Sequence, residues 1–174
     1  MFPQTRMRRL RRRILRPLFA ETQITPENLI MPLFFDETAS EKTPITSMPG
    51  QYRWPVSDAA AVAKSLYTDG IRSVVLFGIP SVKDEAASGA FAADGVIQQT
   101  TRAIKTAVQD MIVITDLCAC EYTSHGHCGI ISETCDGPDL DNDQSLALMQ
   151  KIAVSQADAG SDMVAPSCML DGMV

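Results

Sequence analysis

Residues 73–115 read SVVLFGIPSVKDEAASGAFAADGVIQQTTRAIKTAVQDMIVIT. Short apolar runs rich in β-branched residues open and close this stretch, at 73–77 (SVVLF) and 111–115 (MIVIT). Neither alternates polar with apolar residues, which is the pattern of a strand buried on both faces of a parallel sheet. Between them, residues 96–107 read as a helix. A strand, a crossover helix and a second strand make one parallel β/α unit.

The same reading extends in both directions. Residues 29–35 (LIMPLFF) and 162–165 (DMVA) are two further strand candidates. Pro32 weakens the first, because proline has no N–H for the ladder. Ser57 and Asp58 can cap a helix running to Asp69, with Gly70 just past its end. Residues 143–159 form a third helical segment, ended by Gly160. Pro44, Pro49, Gly50 and Pro55 mark an irregular link between the first strand and the first long helix. The order predicts an α/β fold with a parallel sheet. Four such units suit either a small doubly wound domain or half of an eight-stranded barrel, and periodicity leaves both open. The chain stops at Leu170-Asp-Gly-Met-Val174, with no helix after the fourth strand, which leads to the expectation of a truncation.

The third strand runs into Asp116-Leu-Cys118-Ala-Cys120-Glu-Tyr-Thr-Ser-His125-Gly-His127-Cys128-Gly129, and the fourth into Pro166-Ser167-Cys168. In α/β folds, sites are built at the C-terminal ends of strands. Cysteines two apart in extended backbone can turn their sulfurs to one side, and a loop turning near Gly126 can return Cys128 to them. Three thiolates around zinc would leave a fourth position for water or substrate, as in catalytic zinc sites. A structural site would recruit a fourth ligand from His125, His127 or Cys135. Ordinary buried cysteines are the third possibility. A disulfide is disfavoured, because the N-terminus has basic residues but no apolar stretch of a secretory signal, so a reducing, cytoplasmic location is expected. Asp116 can orient a ligand, hydrogen-bond a substrate amine or simply cap its loop. No phosphate-cradling glycine motif is present, and Ser167 lacks a nucleophile-elbow context.

Composition bounds the partners. With 45% apolar and 21% charged residues the chain falls among ordinary globular proteins, and no apolar run is long enough to span a membrane. Arg6, Arg8, Arg9, Arg11, Arg12, Arg13 and Arg16 precede the first acid, Glu21; residues 17–174 hold eight basic and twenty-one acidic side chains, a net of −13. A basic arm on an acidic body suits nucleic acid, a targeting receptor or the acidic surface of a second copy.

At the cysteine loop the resemblance becomes specific. Asp-x-Cys-x-Cys followed by Glu121-Tyr-Thr-Ser-His-Gly-His-Cys-Gly129 resembles the metal loop of zinc-dependent porphobilinogen synthases, the 5-aminolaevulinate dehydratases. Arg6-Met-Arg-Arg-Leu-Arg11, Ser47-Met-Pro-Gly50, Gly70-Ile-Arg-Ser-Val74, Leu76-Phe-Gly78, Lys83-Asp84, Asp94-Gly95, Val164-Ala-Pro-Ser167 and Met169-Leu-Asp-Gly172 follow the family in order. The resemblance implies a TIM-type (β/α)8 barrel about twice this length, with residues 1–28 as an N-terminal arm and 29–174 as the first four β/α units. It implies a lyase that condenses two 5-aminolaevulinate molecules into porphobilinogen, the pyrrole precursor of haem and other porphyrins. Cys118, Cys120 and Cys128 match the zinc ligands, Asp116 an active-site aspartate, and Ser167 a strand-end serine near the substrate. The family's arm wraps a neighbouring subunit in homo-oligomers, typically octamers, which raises self-association above nucleic acid as the role of the arginines.

Four departures stand out. The family's two Schiff-base lysines, and any allosteric magnesium site, fall beyond residue 174. Cys168 stands where some relatives carry Asp and others a small residue, and the resemblance gives it no role. Met173 replaces a commonly polar or basic residue, and Cys135 is an addition in a variable loop. Lys42, Lys64, Lys83, Lys105 and Lys151 fall in loops or on polar helix faces, where none is set up for imine chemistry. The expectation is a synthase sequence whose 174 residues are inactive alone. The alternative is a non-catalytic zinc-binding half-barrel or subunit-pairing module.

Overall fold

The four apolar runs do pair in parallel. In the computed structural model, which describes residues 7–135 and 137–174, the first run forms β1 (Ile30–Asp36). A short α1 (Met7–Leu10) precedes it; β2 (Thr43–Pro44), β3 (Tyr52–Pro55) and α2 (Ala59–Thr68) follow. Then come β4 (Ser73–Ile79), α3 (Ser88–Phe91), α4 (Val96–Ala107) and β5 (Ile112–Leu117). A hairpin, β6 (Ile131–Thr134) with β7 (Gly137–Leu140), leads to α5 (Asn142–Asp158) and β8 (Met163–Pro166). Arg6 of the arginine arm lies outside the described residues. No described helix is long and apolar enough to cross a membrane.

The main sheet has the order β2-β3-β1-β4-β5-β8. The four predicted strands are neighbours in sequence order and all parallel. Four short strands have no counterpart in the sequence reading, β2 and β3 and the β6–β7 hairpin. The stretch taken as an irregular link contains β2 and β3, and β3 adds to the free edge of β1 in parallel. Proline spacing concealed them, because Pro44 and Pro55 each close a short edge segment where a missing donor costs little. Pro32 is tolerated for a related reason: β3 pairs only with Phe34, Phe35 and Asp36, so at Pro32 β1 has a neighbour on one side. Asp58 precedes α2 as expected, but its side chain makes no capping bond; a tight turn at Val56–Asp58 starts the helix instead. Gly70 and Gly160 end their helices with φ of +95° and +100°, the left-handed conformation glycine adopts without cost.

The core lies on one face of the sheet. Leu33, Phe35, Val74, Leu76, Val113 and Leu117 are buried against α2, α4 and α5 through Val62, Ile104, Met149 and Ile152. The alternate residues Phe34, Val75, Phe77 and Ile114 point to the opposite face, where they are only half-buried. Phe34 and Phe77 stack there with ring centroids 5.2 Å apart.

A buried polar network holds the end of β5. The Thr115 hydroxyl donates to Gln156 Oε1 at 2.9 Å, and Gln156 Nε2 donates to the Asp116 carbonyl at 2.8 Å. Asp162 locks β8 to β5 by accepting from the Val113 N–H at 2.8 Å and from Lys105 Nζ at 2.9 Å. Replacing Gln156 with leucine removes both bonds and the Asp116 carbonyl's side-chain donor, while the Thr115 hydroxyl keeps Ser161 Oγ at 2.9 Å; the loss costs about 1–3 kcal/mol. Urea denaturation of Gln156→Leu should therefore show a lower midpoint with an unchanged slope; an unaltered midpoint would refute the network's role.

Candidate metal centre

Two loops meet where β5 and β8 end. The strands pair with Leu117 opposite Pro166, and the ladder continues one step through the Ser167 N–H to the Leu117 carbonyl at 3.4 Å. Cys118 and Cys168 each lie just beyond this last paired rung. The long loop after β5 is tied down twice more. It pairs with the loop after β4 at Asp84 and Thr123, through Asp84 N–H to the Tyr122 carbonyl at 3.1 Å and Ser124 N–H to the Asp84 carbonyl at 3.0 Å. Thr123 Oγ1 then donates to the His127 carbonyl at 2.8 Å and closes the turn that returns Cys128.

Gly129 makes that return possible. It is buried against α5, and a Cβ there would lie 2.2 Å from Ser145 Oγ and 2.7 Å from Ser145 Cβ. The Ser145 hydroxyl accepts the Ile130 N–H at 2.9 Å, so the residues after Cys128 are fixed to the first turns of α5. Asp141 caps that helix by accepting from the Gln144 N–H at 2.9 Å.

Cys118 is the hub. Its sulfur is 3.2 Å from Cys120 Sγ and 3.6 Å from Cys168 Sγ. The sulfurs of Cys118, Cys128 and Cys168 all lie within 4.8 Å of one another, as do the donor atoms of Cys118, Cys120 and Glu121. Cys118 thus belongs to two sets, one with Cys128 and Cys168 and one with Cys120 and Glu121, and no set holds Cys120 and Cys128 together among the described residues. Glu121 Oε2 accepts from Cys120 Sγ at 3.3 Å. The signal that could have singled out Cys168 was its place at the C-terminal end of the strand next to β5. His125 and His127 join neither donor set. Their rings stack, and His125 Nδ1 accepts the His127 N–H at 3.2 Å. Cys135 is exposed, in the turn between β6 and β7.

The sulfurs perturb one another's acidity. Hydrogen bonding from Cys168 first, against the cost of burial and with help from Cys120 and Cys128, draws the Cys118 pKa down to about 4. Burial first, then hydrogen bonding to Cys118, pushes Cys120 and Cys128 up, and hydrogen bonding to Cys118 does the same to Cys168. Thiols crowded in this way suit a thiophilic cation that replaces their protons. Tetrahedral geometry with metal–sulfur bonds of ~2.3 Å needs sulfurs about 3.8 Å apart, which the 3.6 Å between Cys118 and Cys168 approaches. The donor set therefore fits a metal ion.

Asp116 lies two residues before Cys118, within β5 and on its open face. Burial pushes its pKa up to about 6; the Ser167 side chain pulls it down, while Glu121 and Cys118 push it up. Ser167 is exposed, with its hydroxyl 3.4 Å from the Leu117 carbonyl. The structure thus brings the two residues together beside the sulfurs. No lysine reaches them: Lys42 lies over the rings of Tyr52 and Trp54, Lys105 pairs with Asp162, Lys151 lies over Phe91, and Lys64 and Lys83 are exposed.

A family model described as delta-aminolevulinic acid dehydratase matches residues 4–174. A delta-aminolevulinic acid dehydratase of Archaeoglobus fulgidus is 49% identical over 173 residues, which are 99% of this chain and 52% of that protein. One from Staphylococcus aureus is 44% identical over 170 residues, 97% of this chain and 52% of the relative. The chain thus spans about half the length of the curated relatives it matches. A crystal structure of the Toxoplasma gondii enzyme in complex with its reaction product porphobilinogen superposes with a TM-score of 0.88 at 34% identity, over 98% of this chain and 49% of that one.

Because Gly129 has no room for a methyl group, Gly129→Ala must shift either Ser145 or the Cys128 backbone. Cobalt(II) titration should show affinity about 10–100-fold weaker in the variant, as when a supporting contact behind a metal ligand is lost. Unchanged affinity would mean that Cys128 does not depend on this packing.

Proposed function

The chain belongs to the delta-aminolevulinic acid dehydratase family, and from that premise we propose that it carries the zinc-binding half of a porphobilinogen synthase active site. The observation that carries this reading is the placement of Cys120 and Cys128 on either side of Cys118 at the C-terminal end of β5, beside Asp116 and Ser167. In this reading the three cysteines hold zinc. Bound there, zinc would supply Lewis-acid polarisation for the condensation of two 5-aminolaevulinate molecules. With a pKa near neutrality, the Asp116 carboxyl can hold or release a proton at the substrate's amino group. The exposed Ser167 hydroxyl can hydrogen-bond and orient the substrate at the strand end.

The same reading makes the sheet the first half of a (β/α)8 barrel. In support, β1, β4, β5 and β8 lie side by side in sequence order without reversal, unlike a doubly wound sheet, with the helices packed on one face. The half-buried Phe34, Val75, Phe77 and Ile114 would then face the barrel interior. Residues 1–28 would be an arm that docks on another copy in a homo-oligomer, supported by Ile14, Leu18 and Ile24, which are 86%, 77% and 73% exposed. A cytoplasmic location accompanies this function. The imine-forming amine would come from outside these 174 residues, since no lysine stands at the site.

Three outcomes are expected. Zinc content of the reduced protein should fall on Cys120→Ser; equal zinc in both proteins would exclude the assignment. The 174 residues incubated with 5-aminolaevulinate and borohydride should yield no lysine adduct and no pyrrole, whereas adding a segment that supplies the lysines should restore product. An adduct on any of the five lysines would overturn the division of labour. Removal of residues 1–18 should lower the assembly size of the assembled enzyme on a sizing column; an unchanged size would refute the role of the arm.

A further inference from the structure

We propose that Cys168 is a fourth thiolate ligand, so that the metal held by Cys118, Cys120 and Cys128 has a complete sulfur shell in the resting protein. The proposal rests on the three-cysteine reading above and extends it to a residue that reading leaves without a role.

Placement of Cys168 is dictated by the sheet. The β5–β8 register sets Leu117 opposite Pro166, and the Ser167 N–H extends the ladder to the Leu117 carbonyl. One residue further on, the Cys168 side chain turns back over the end of β5. Its sulfur lies 3.6 Å from Cys118 Sγ, 3.6 Å from the Leu117 carbonyl oxygen and 3.9 Å from Met149 Sδ. The 3.6 Å separation is far beyond a disulfide bond of ~2.05 Å. It is within a few tenths of an ångström of the ~3.8 Å that separates two sulfurs on one tetrahedral zinc. Cys118, Cys128 and Cys168 form a mutually close set, and Cys120 joins through Cys118.

A cysteine buried merely to fill the core would need only apolar neighbours. Cys168 does pack against the core through Met149, yet its sulfur is turned to another sulfur. Two of the four sulfurs come from one short loop, a third from its return at Cys128, and the fourth from a strand fifty residues away. Four cysteines are the donor set of a closed zinc site, and three leave a position open. Cys168 therefore fills the position that a three-cysteine site leaves to water or substrate.

X-ray absorption at the zinc edge tests this on the unmodified, zinc-loaded protein. Four sulfurs at about 2.3 Å are expected. Cys168→Ala should show three sulfurs and one lighter oxygen or nitrogen scatterer, and its cobalt(II) form should lose about a quarter of the thiolate charge-transfer absorbance. Three sulfurs and a light atom in the unmodified protein, together with zinc loss in Cys120→Ser, would overturn the role of Cys168 and keep the three-cysteine site. Zinc content unaffected by Cys120→Ser would overturn both.

Discussion

The pairing of β5 with β8 is the constraint on which the centre depends. A parallel ladder fixes not only which strands are neighbours but which residues stand opposite each other, and a slip of one residue turns every side chain to the other face. With Leu117 opposite Pro166, Cys118 and Cys168 leave the sheet side by side. The register is secured at its far end by Asp162, which accepts from both Val113 and Lys105, and at its near end by Gln156 beneath Asp116. The sulfur spacing is thus set by backbone hydrogen bonds and buried polar groups, with little left to the loops themselves.

Around that register the loops have little freedom. Asp84 and Thr123 join the loops after β4 and β5, and Glu37 ties the loop after β1 to that after β4 by accepting from the Ser81 N–H and hydroxyl at 2.7 Å each. Close packing extends the same restraint inward. A Cβ on Gly78 would lie 2.5 Å from the Tyr122 hydroxyl and 2.6 Å from Val96 Cγ1, so β4 approaches the cysteine loop and α4 as closely as a strand can. The tyrosine is buried, and burial raises its pKa. It serves as a neutral wedge under the loop. Preorganised sulfurs hold a metal tightly because the ordering entropy of the ligands is met by folding rather than by binding.

The open face of the sheet carries the candidate site residue Asp116, and the helix-covered face carries the core. Residues alternate between the two along each strand. On β5, Val113, Thr115 and Leu117 enter the core, while Ile114 and Asp116 face outward. That alternation explains the divergent fates of adjacent residues: Leu117 is packed away while Asp116, one position earlier, stands beside Ser167 with its charge partly suppressed.

Much of this was legible in the amino-acid order. The four β-branched runs, the helices at 96–107 and 143–159 and the terminating glycines follow from local physics, namely side-chain periodicity and the φ that only glycine adopts freely. The Cys118, Cys120 and Cys128 cluster is close in sequence, so its convergence needs only a loop that turns back. The short β2, β3, β6 and β7 carry too few residues for periodicity to act on, and they exist because a neighbouring edge was available to pair with. Cys168 and Glu121 lie at the limit of what sequence alone determines. Nothing local distinguishes Glu121 from a solvated loop acid or Cys168 from a core cysteine. Only the tertiary structure brings Cys168 to Cys118 across fifty residues of chain, because strand register is a property of two segments together and is written in neither alone.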